Sequence, residues 1–253
     1  MTSLAERYVR EMHSSLDYWA TWAPGVEIKL GDCGRINDDW SFQPERNVKA
    51  FGIDFGVDAA PATAPWNHTS DKSMSVNFQF QAGAQVIPQI PQGTAGIQIK
   101  FSRKNAIVFA AVGGRNSRIA DIYELKRRVL DLARKGEFPD DFVVVTELVM
   151  AESATVLLSE SDNAEFVASA SADFKAGIVD IGNSSLNIAT QFTSNVRTEI
   201  VAQNHVTPLF RAVKLHKGFL DYKVSPLEAA AEDLPFVDLD PQSAASGSNR
   251  MNA

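Results

Sequence analysis

Four stretches of the chain alternate apolar and polar residues with a two-residue period, and they run longer than a soluble strand requires. In the first, Met74, Val76, Phe78, Phe80, Ala82, Ala84 and Val86 share one face, against Ser75, Asn77, Gln79, Gln81, Gly83 and Gln85 on the other. After "PQIPQGTAG" the return stretch sets Ile97, Ile99 and Phe101 against Gln98, Lys100 and Ser102. Period and turn chemistry together predict a hairpin over 74–86 and 95–103. A second pair follows. "NAEFVASASADFKAG" places Ala164, Phe166, Ala168, Ala170, Ala172 and Phe174 on one side. After the turn "GIVDIGNSS", Leu186, Ile188, Thr190, Phe192, Ser194, Val196, Thr198 and Ile200 do the same, predicting a second hairpin over 164–176 and 186–200. Ordinary strands run about five or six residues.

The rest of the pattern predicts a body around these ribbons. Ser3 with Glu6 makes a capping box, and Leu4, Tyr8, Met12, Leu16 and Trp19 recur at helical spacing, so an amphipathic helix runs to near Pro24. "VEIKLGDCGRI" reads as a strand and a turn, and residues 56–73, with Gly, Pro and Asn, read as a loop. "NAIVFAAVGG" reads as a buried strand. Residues 117–135 read as a helix with Ile119, Ile122, Leu125, Val129 and Leu132 inward and Gly136 as its stop. The Val-rich run in "DFVVVTELVM" reads as a central strand, and "PLFRAVKL" closes the body at 208–215.

A strand that spans a membrane needs about 9 to 11 residues with lipid-facing and lumen-facing side chains alternating. The four ribbons reach that length. A hairpin satisfies its inner backbone groups, but its open edges cannot sit in lipid, so insertion demands many copies closing a ring. In the second hairpin the apolar positions are mostly Ala, Thr and Ser, which gain modestly from burial at ~25 cal/mol per Å² and leave a core at modest cost. The same periodicity also builds lipocalin-like barrels and large sandwiches, and a soluble β-rich module for a lipid or small ligand is the alternative reading.

Charge narrows the choice. The 253 residues carry a net charge of -7, which argues against nucleic acid as a partner. From Pro226 onward Glu228, Glu232, Asp233, Asp238 and Asp240 face only Arg250, so this tail is acidic. Cys33 is the single cysteine and excludes an internal disulfide or a thiolate metal cage. The N-terminal stretch is charged where a secretory signal needs an apolar core, and no apolar run approaches ~18 residues, so the expectation is a soluble intracellular protein. His13, His68, His205 and His216 are scattered without metal-ligand spacing, and no nucleophile elbow or P-loop is present. The expectation is therefore no enzyme and no cofactor.

The order of these segments resembles the pore-forming domain of gasdermins over roughly residues 70–217. Phe142, Val143, Val144, Val145, Thr146, Glu147, Leu148 and Val149 look like the family's central strand. "VNFQFQAGAQ", the helix with "ELKRRVLDLARKG" and the closing "VTPLFRAVKL" occupy matching positions. The resemblance implies an α+β fold: a twisted, largely antiparallel sheet with long hairpins and flanking helices, over 1–225, followed by a partly disordered acidic tail over 226–253. It implies a soluble cytoplasmic form that, once triggered, binds acidic phospholipid membranes, forms oligomers and inserts two hairpins per subunit to kill the cell. The first would present Val76, Phe78, Phe80, Val86, Ile97, Ile99 and Phe101 to lipid. The second would present Phe166, Ala168, Phe174, Leu186, Ile188, Phe192 and Val196. Arg7, Arg10, Lys126, Arg127 and Arg128 are the candidates for headgroup or neighbour contact, and a solvated helix face accounts equally well for the last three. With only a short tail the chain is similar to the microbial members, bacterial or fungal. The trigger is either a protease that removes the tail, through which Leu234, Phe236 and Leu239 would inhibit, or a variant homologue that joins a hetero-oligomer.

Overall fold

A computed structural model describes residues 3–23, 25–62, 65–70, 74–80, 86–170, 188–215 and 236–238. Helix α1 (Leu4–Leu16) starts where the Ser3 hydroxyl accepts from the Glu6 N–H at 3.0 Å. It ends earlier than the apolar spacing predicts, because Asp17 turns into the left-handed region at φ 61°. Trp19 then belongs to a short strand, β1 (Trp19–Ala20). Strands β2 (Asp32–Ile36) and β3 (Phe42–Asn47) pair antiparallel, and a single 3-10 turn spans Val48–Phe51.

The predicted loop at 56–73 is largely strand. β4 (Val57–Ala62) and β5 (Trp66–Thr69) pair along β9 and β8 respectively, once those strands are formed by Arg115–Ile119 (β9) and Ile107–Val112 (β8). Each has one partner among the described residues, and an edge strand tolerates the prolines and small residues that read as loop. Between β5 and β8 lie β6 (Met74–Gln79) and β7 (Ala95–Phe101).

Helix α2 (Ile122–Arg134) begins five residues after the predicted start at 117. Asp121 caps it, accepting from the Glu124 N–H at 2.9 Å, while the residues just before pair in the sheet as β9. Gly136, at φ 74°, ends it as predicted: its N–H donates to the Ala133 carbonyl and that of Glu137 to the Leu132 carbonyl, a Schellman closure. The remaining strands are β10 (Val143–Ser159), β11 (Glu165–Ala170), β12 (Ile188–Ser194), β13 (Val196–Leu215) and β14 (Phe236–Asp238).

The strands form two sheets, so the fold is α+β and its sheets are antiparallel throughout the described pairings. The ten-stranded sheet is organised on β10, which pairs with β13 from Val143↔Lys214 to Ser159↔Val196 through three register shifts. Along its other edge β10 receives β2, β9 and β8 in turn. Alternation decides what covers each face. Val143 and Val145 pack with Tyr8, Val9 and Met12 of α1, while Val144 packs with Leu125 and Val129 of α2. The two helices therefore lie on opposite faces.

The second sheet has four strands in the order β12-β11-β7-β6. It stacks on the face of the large sheet away from α1: Ile107, Phe109 and Ala111 of β8 point to the α1 side, whereas Ala106 and Val108 meet the small sheet. The predicted ribbon over 186–200 is split. It breaks at Asn195 (φ 53°), so its first part joins the small sheet and its continuation from Val196 pairs with β10.

Candidate membrane-inserting sheet

The small sheet unites the two hairpins that the sequence predicts apart. β6 pairs with β7, β11 with β12, and the hairpins join through β7 and β11, with Phe166 opposite Ile99 and Ala168 opposite Ile97. Val76 and Phe78 continue these two rows onto β6. Ile97, Ile99, Phe101 and Phe166 are buried and close a hydrophobic cluster with Ala106, Val108 and Leu157 of the large sheet; Val76, Phe78 and Val196 pack against it half-buried. Of the residues nominated for lipid, Val76, Phe78, Ile97, Ile99, Phe101, Phe166 and Ala168 thus share one face of the small sheet, and in this state that face is turned toward the protein. Phe80 and Val86 differ, being 44% and 54% exposed.

Strands β6 and β7 are shorter than the alternation predicts. β6 stops at Gln79 rather than continuing to residue 86, and the segment after residue 85 folds back over the sheet. In β12, Phe192 stands opposite Val167 and Thr193 opposite Phe166, so by register Phe192 falls in the row of Val167 rather than that of Phe166, while Ile188 stands opposite Ala170 after a bulge. Phe174 and Leu186 lie outside the described residues.

The opposite face is polar. Asn77 Nδ2 donates to Gln98 Oε1 at 3.0 Å, and Gln98 Nε2 donates to Glu165 Oε1 at 2.5 Å, a chain of bonds across β6, β7 and β11. Gln79, next along, holds the returning segment: its Nε2 donates to the carbonyls of Pro91 and Thr94 at 2.9 Å each, and its Oε1 accepts from the Ile87 N–H at 2.6 Å. Ile87 and Ile90 bury against Val167 of β11. Neither isoleucine is singled out by the periodicity, although two isoleucines among prolines in "VIPQIPQ" are an apolar signal within a turn.

The nominated basic residues do not gather. Arg7 and Arg10 are on α1, Lys126, Arg127 and Arg128 on α2, and the helices cover opposite faces. Arg10 pairs with Glu6 at 3.0 Å and lies over the Trp40 ring. Arg127 and Arg128 both pair with Glu124 at 2.7 Å, and these bonds, Arg128 foremost, hold the Glu124 carboxyl below its usual range. Two of the three α2 charges are thereby spent on one partner. The tail touches the body at β14, which pairs with the β13 edge, Phe236 standing opposite Leu215 and Asp238 opposite Val213. Leu234 and Leu239 lie outside the described residues.

Glu147, in the central-strand motif, is a structural junction. Its Oε1 accepts a short hydrogen bond from the Tyr18 hydroxyl, and Arg211 lies 3.6 Å from its Oε2. Burial, then the Glu147 carboxylate, hold the Tyr18 hydroxyl well above the ordinary phenol range. A cavity of about 560 Å³ beside it is lined by Asp58, Asn116, Arg118 and Glu147 with Val57 and Ala59, too charged for a lipid tail. A more apolar hollow bounded by Ile28, Leu30, Leu148 and Met150 holds about 240 Å³, below the ~300 Å³ at which ligand pockets begin. Among the described residues no group of His, Cys, Asp or Glu is placed to hold a metal ion, and no helix is long and apolar enough to cross a membrane. Cys33 is buried, and burial pushes its thiol up to about 12.

What the geometry defines is an α+β protein carrying a second, two-faced antiparallel sheet. No protein-family profile matches the sequence, and no curated protein matches it. Among solved structures the chain is similar to the cryo-EM structure of the gasdermin A3 membrane pore, with 11% sequence identity and a TM-score of 0.30, covering 94% of this chain and 100% of that one.

Proposed function

We propose that this protein is a pore former of the gasdermin type, which binds acidic membranes, assembles with further copies and inserts the β6–β7 and β11–β12 hairpins. The observation that carries the reading is the small sheet itself. Its two hairpins are adjacent, one face is apolar from Val76 across Ile99 to Phe166, and the other carries the Asn77–Gln98–Glu165 chain. Such a sheet exchanges the large sheet for lipid tails without returning its apolar face to water, since hydrocarbon is as apolar as leucine. Its polar face then lines the lumen. Strands β6 and β12 are its edges, and in lipid they require partners from neighbouring copies. The acidic tail strand on β13 supports restraint of the resting form, relieved by proteolysis or by a variant homologue that displaces it.

Dye release from vesicles containing acidic phospholipid tests this. The chain truncated after residue 225 perforates them, and the full chain does so more slowly. Phe80→Asp is the informative variant. Phe80 is partly exposed, so a charge there spares the soluble fold, whereas on a lipid-facing strand it destabilises every inserted copy near mid-bilayer. A truncated chain that leaves such vesicles intact, or a Phe80→Asp chain as active as wild type, rejects the proposal. Phe166→Asp does not serve, because Phe166 is buried and the charge would disrupt the resting protein as well.

A further inference from the structure

Residues 86–94 are built as something other than a hairpin turn. They cross the polar face of the small sheet, with Ile87 and Ile90 nearly inaccessible at 1% and 4% exposure. Their backbone is pinned from below by Gln79, itself buried, through three hydrogen bonds to Ile87, Pro91 and Thr94. Ile87, Ile90 and Val167 form a hydrophobic cluster separate from the larger ones. Val167 belongs to β11, whereas Gln79 belongs to β6, so the crossing segment ties the first hairpin to the second. The seat for Ile90 is a glycine: a Cβ on Gly96 would stand 2.1 Å from Ile90 Cδ1, so only a residue without a side chain lets the isoleucine lie down on β7.

We infer that residues 86–94 are a strap that holds the two hairpins in their resting arrangement and must lift before they extend. The inference rests on the pore-forming reading and adds its regulation. While the strap is seated, the small sheet is enclosed on both sides, by the large sheet below and by Ile87 and Ile90 above. β6 cannot run straight on through residue 87 while the strap is seated, because Ile87, Pro91 and Thr94 are tied back to Gln79 within that strand. Gln79 is suited to such a catch. Its three bonds are local and neutral, and all three are surrendered together when the segment straightens.

Two variants unseat the strap by different means. Gly96→Ala places a methyl group where Ile90 sits; it also approaches the Ala168 carbonyl at 2.8 Å and so risks the strand pairing. Gln79→Leu keeps the size of the side chain and removes the three bonds, which guards against that ambiguity. Two readouts are taken on the full and truncated chains: amide hydrogen exchange in solution, and dye release from vesicles containing acidic phospholipid. The strap predicts faster exchange in β6, β7 and β11 with β10 and β13 still protected, and dye release faster by about tenfold, as for a barrier lowered by one tenfold step. Unchanged exchange in β11 overturns the clamp. Faster exchange with dye release unchanged or slower overturns its role as the catch. If wild type and both variants release no dye while exchange responds as predicted, the pore reading fails and the clamp stands.

Discussion

The large and small sheets are both antiparallel and both cored by aliphatic side chains, yet they are held very differently. β10 and β13 pair over almost their whole length, and side chains from both faces of β10 enter helix-covered clusters that include Tyr8, Phe109 and Phe210 on one side and Leu125 and Phe142 on the other. The small sheet has one such face. Its strands β6, β7 and β11 lean on Ala106, Val108 and Leu157, and its other surface is closed by hydrogen-bonded amides and three apolar side chains. Burying apolar area stabilises at ~25 cal/mol per Å², so the sheet that buries one face is held less firmly than the one that buries both.

Variants that break this comparison fall in order of size. Phe210→Ala removes a fully buried ring from the large sheet and is expected to cost about 3–5 kcal/mol, read as a fall in the urea midpoint. With it goes the whole fold. Glu11→Gln comes next. The Glu11 carboxylate on α1 accepts hydrogen bonds from His68 at 2.9 Å and from Ser70. Burial pushes its pKa up, but the bonds from His68 and Ser70 and the charges of His68 and Arg103 outweigh it, and the net direction is down. A lowered folded-state pKa contributes stability above the unfolded carboxylate value, lost as pH falls through the folded one. Wild type should therefore exceed Glu11→Gln by about 1–2 kcal/mol at neutral pH, the two converging below about pH 4 in thermal melts.

Ile99→Val sharpens the contrast from the other side. It trims the contact between the sheets by one methylene while leaving the face apolar, so stability falls by about 1 kcal/mol and dye release becomes faster rather than slower. A destabilised main sheet would lose activity instead. Smallest is Arg7→Gln, on an exposed position: within about 0.5 kcal/mol in stability, with weaker sedimentation on acidic vesicles.

The large sheet was readable because its signals are redundant. A run of valines, a Gly stop at 136 and the cap at Ser3 each specify one outcome, whereas the apolar spacing overlooks the cap at Asp121 and starts α2 five residues early. The hairpins were readable as two-faced ribbons, since alternation survives in either state, but their extent was not. Alternation over 74–86 says what faces can exist, and it carries no term for three bonds from Gln79 that stop β6 and turn the chain back. The break at Asn195 escaped for a similar reason: a single left-handed residue shifts the strand between sheets without disturbing the polar-apolar order. Edge strands β4 and β5 were hidden under loop-type residues that an unpaired edge accepts. Charge pairing was legible but is overlooked when the basic residues are read alone: Glu124 lies three and four residues before Arg127 and Arg128, one helical turn away, and pairs with both.

Pore formation as proposed requires one face of the small sheet to leave the protein for hydrocarbon while the other stays wet. An environment-sensitive fluorophore on Phe80→Cys and, separately, on Lys100→Cys reads this directly, both positions being exposed at rest and Cys33 too buried to compete for the label. On vesicles containing acidic phospholipid, the probe at position 80 should shift to the blue and be quenched by spin-labelled acyl chains, and the probe at position 100 should remain as in water. Probes that both stay in water, or that both enter the lipid, contradict it.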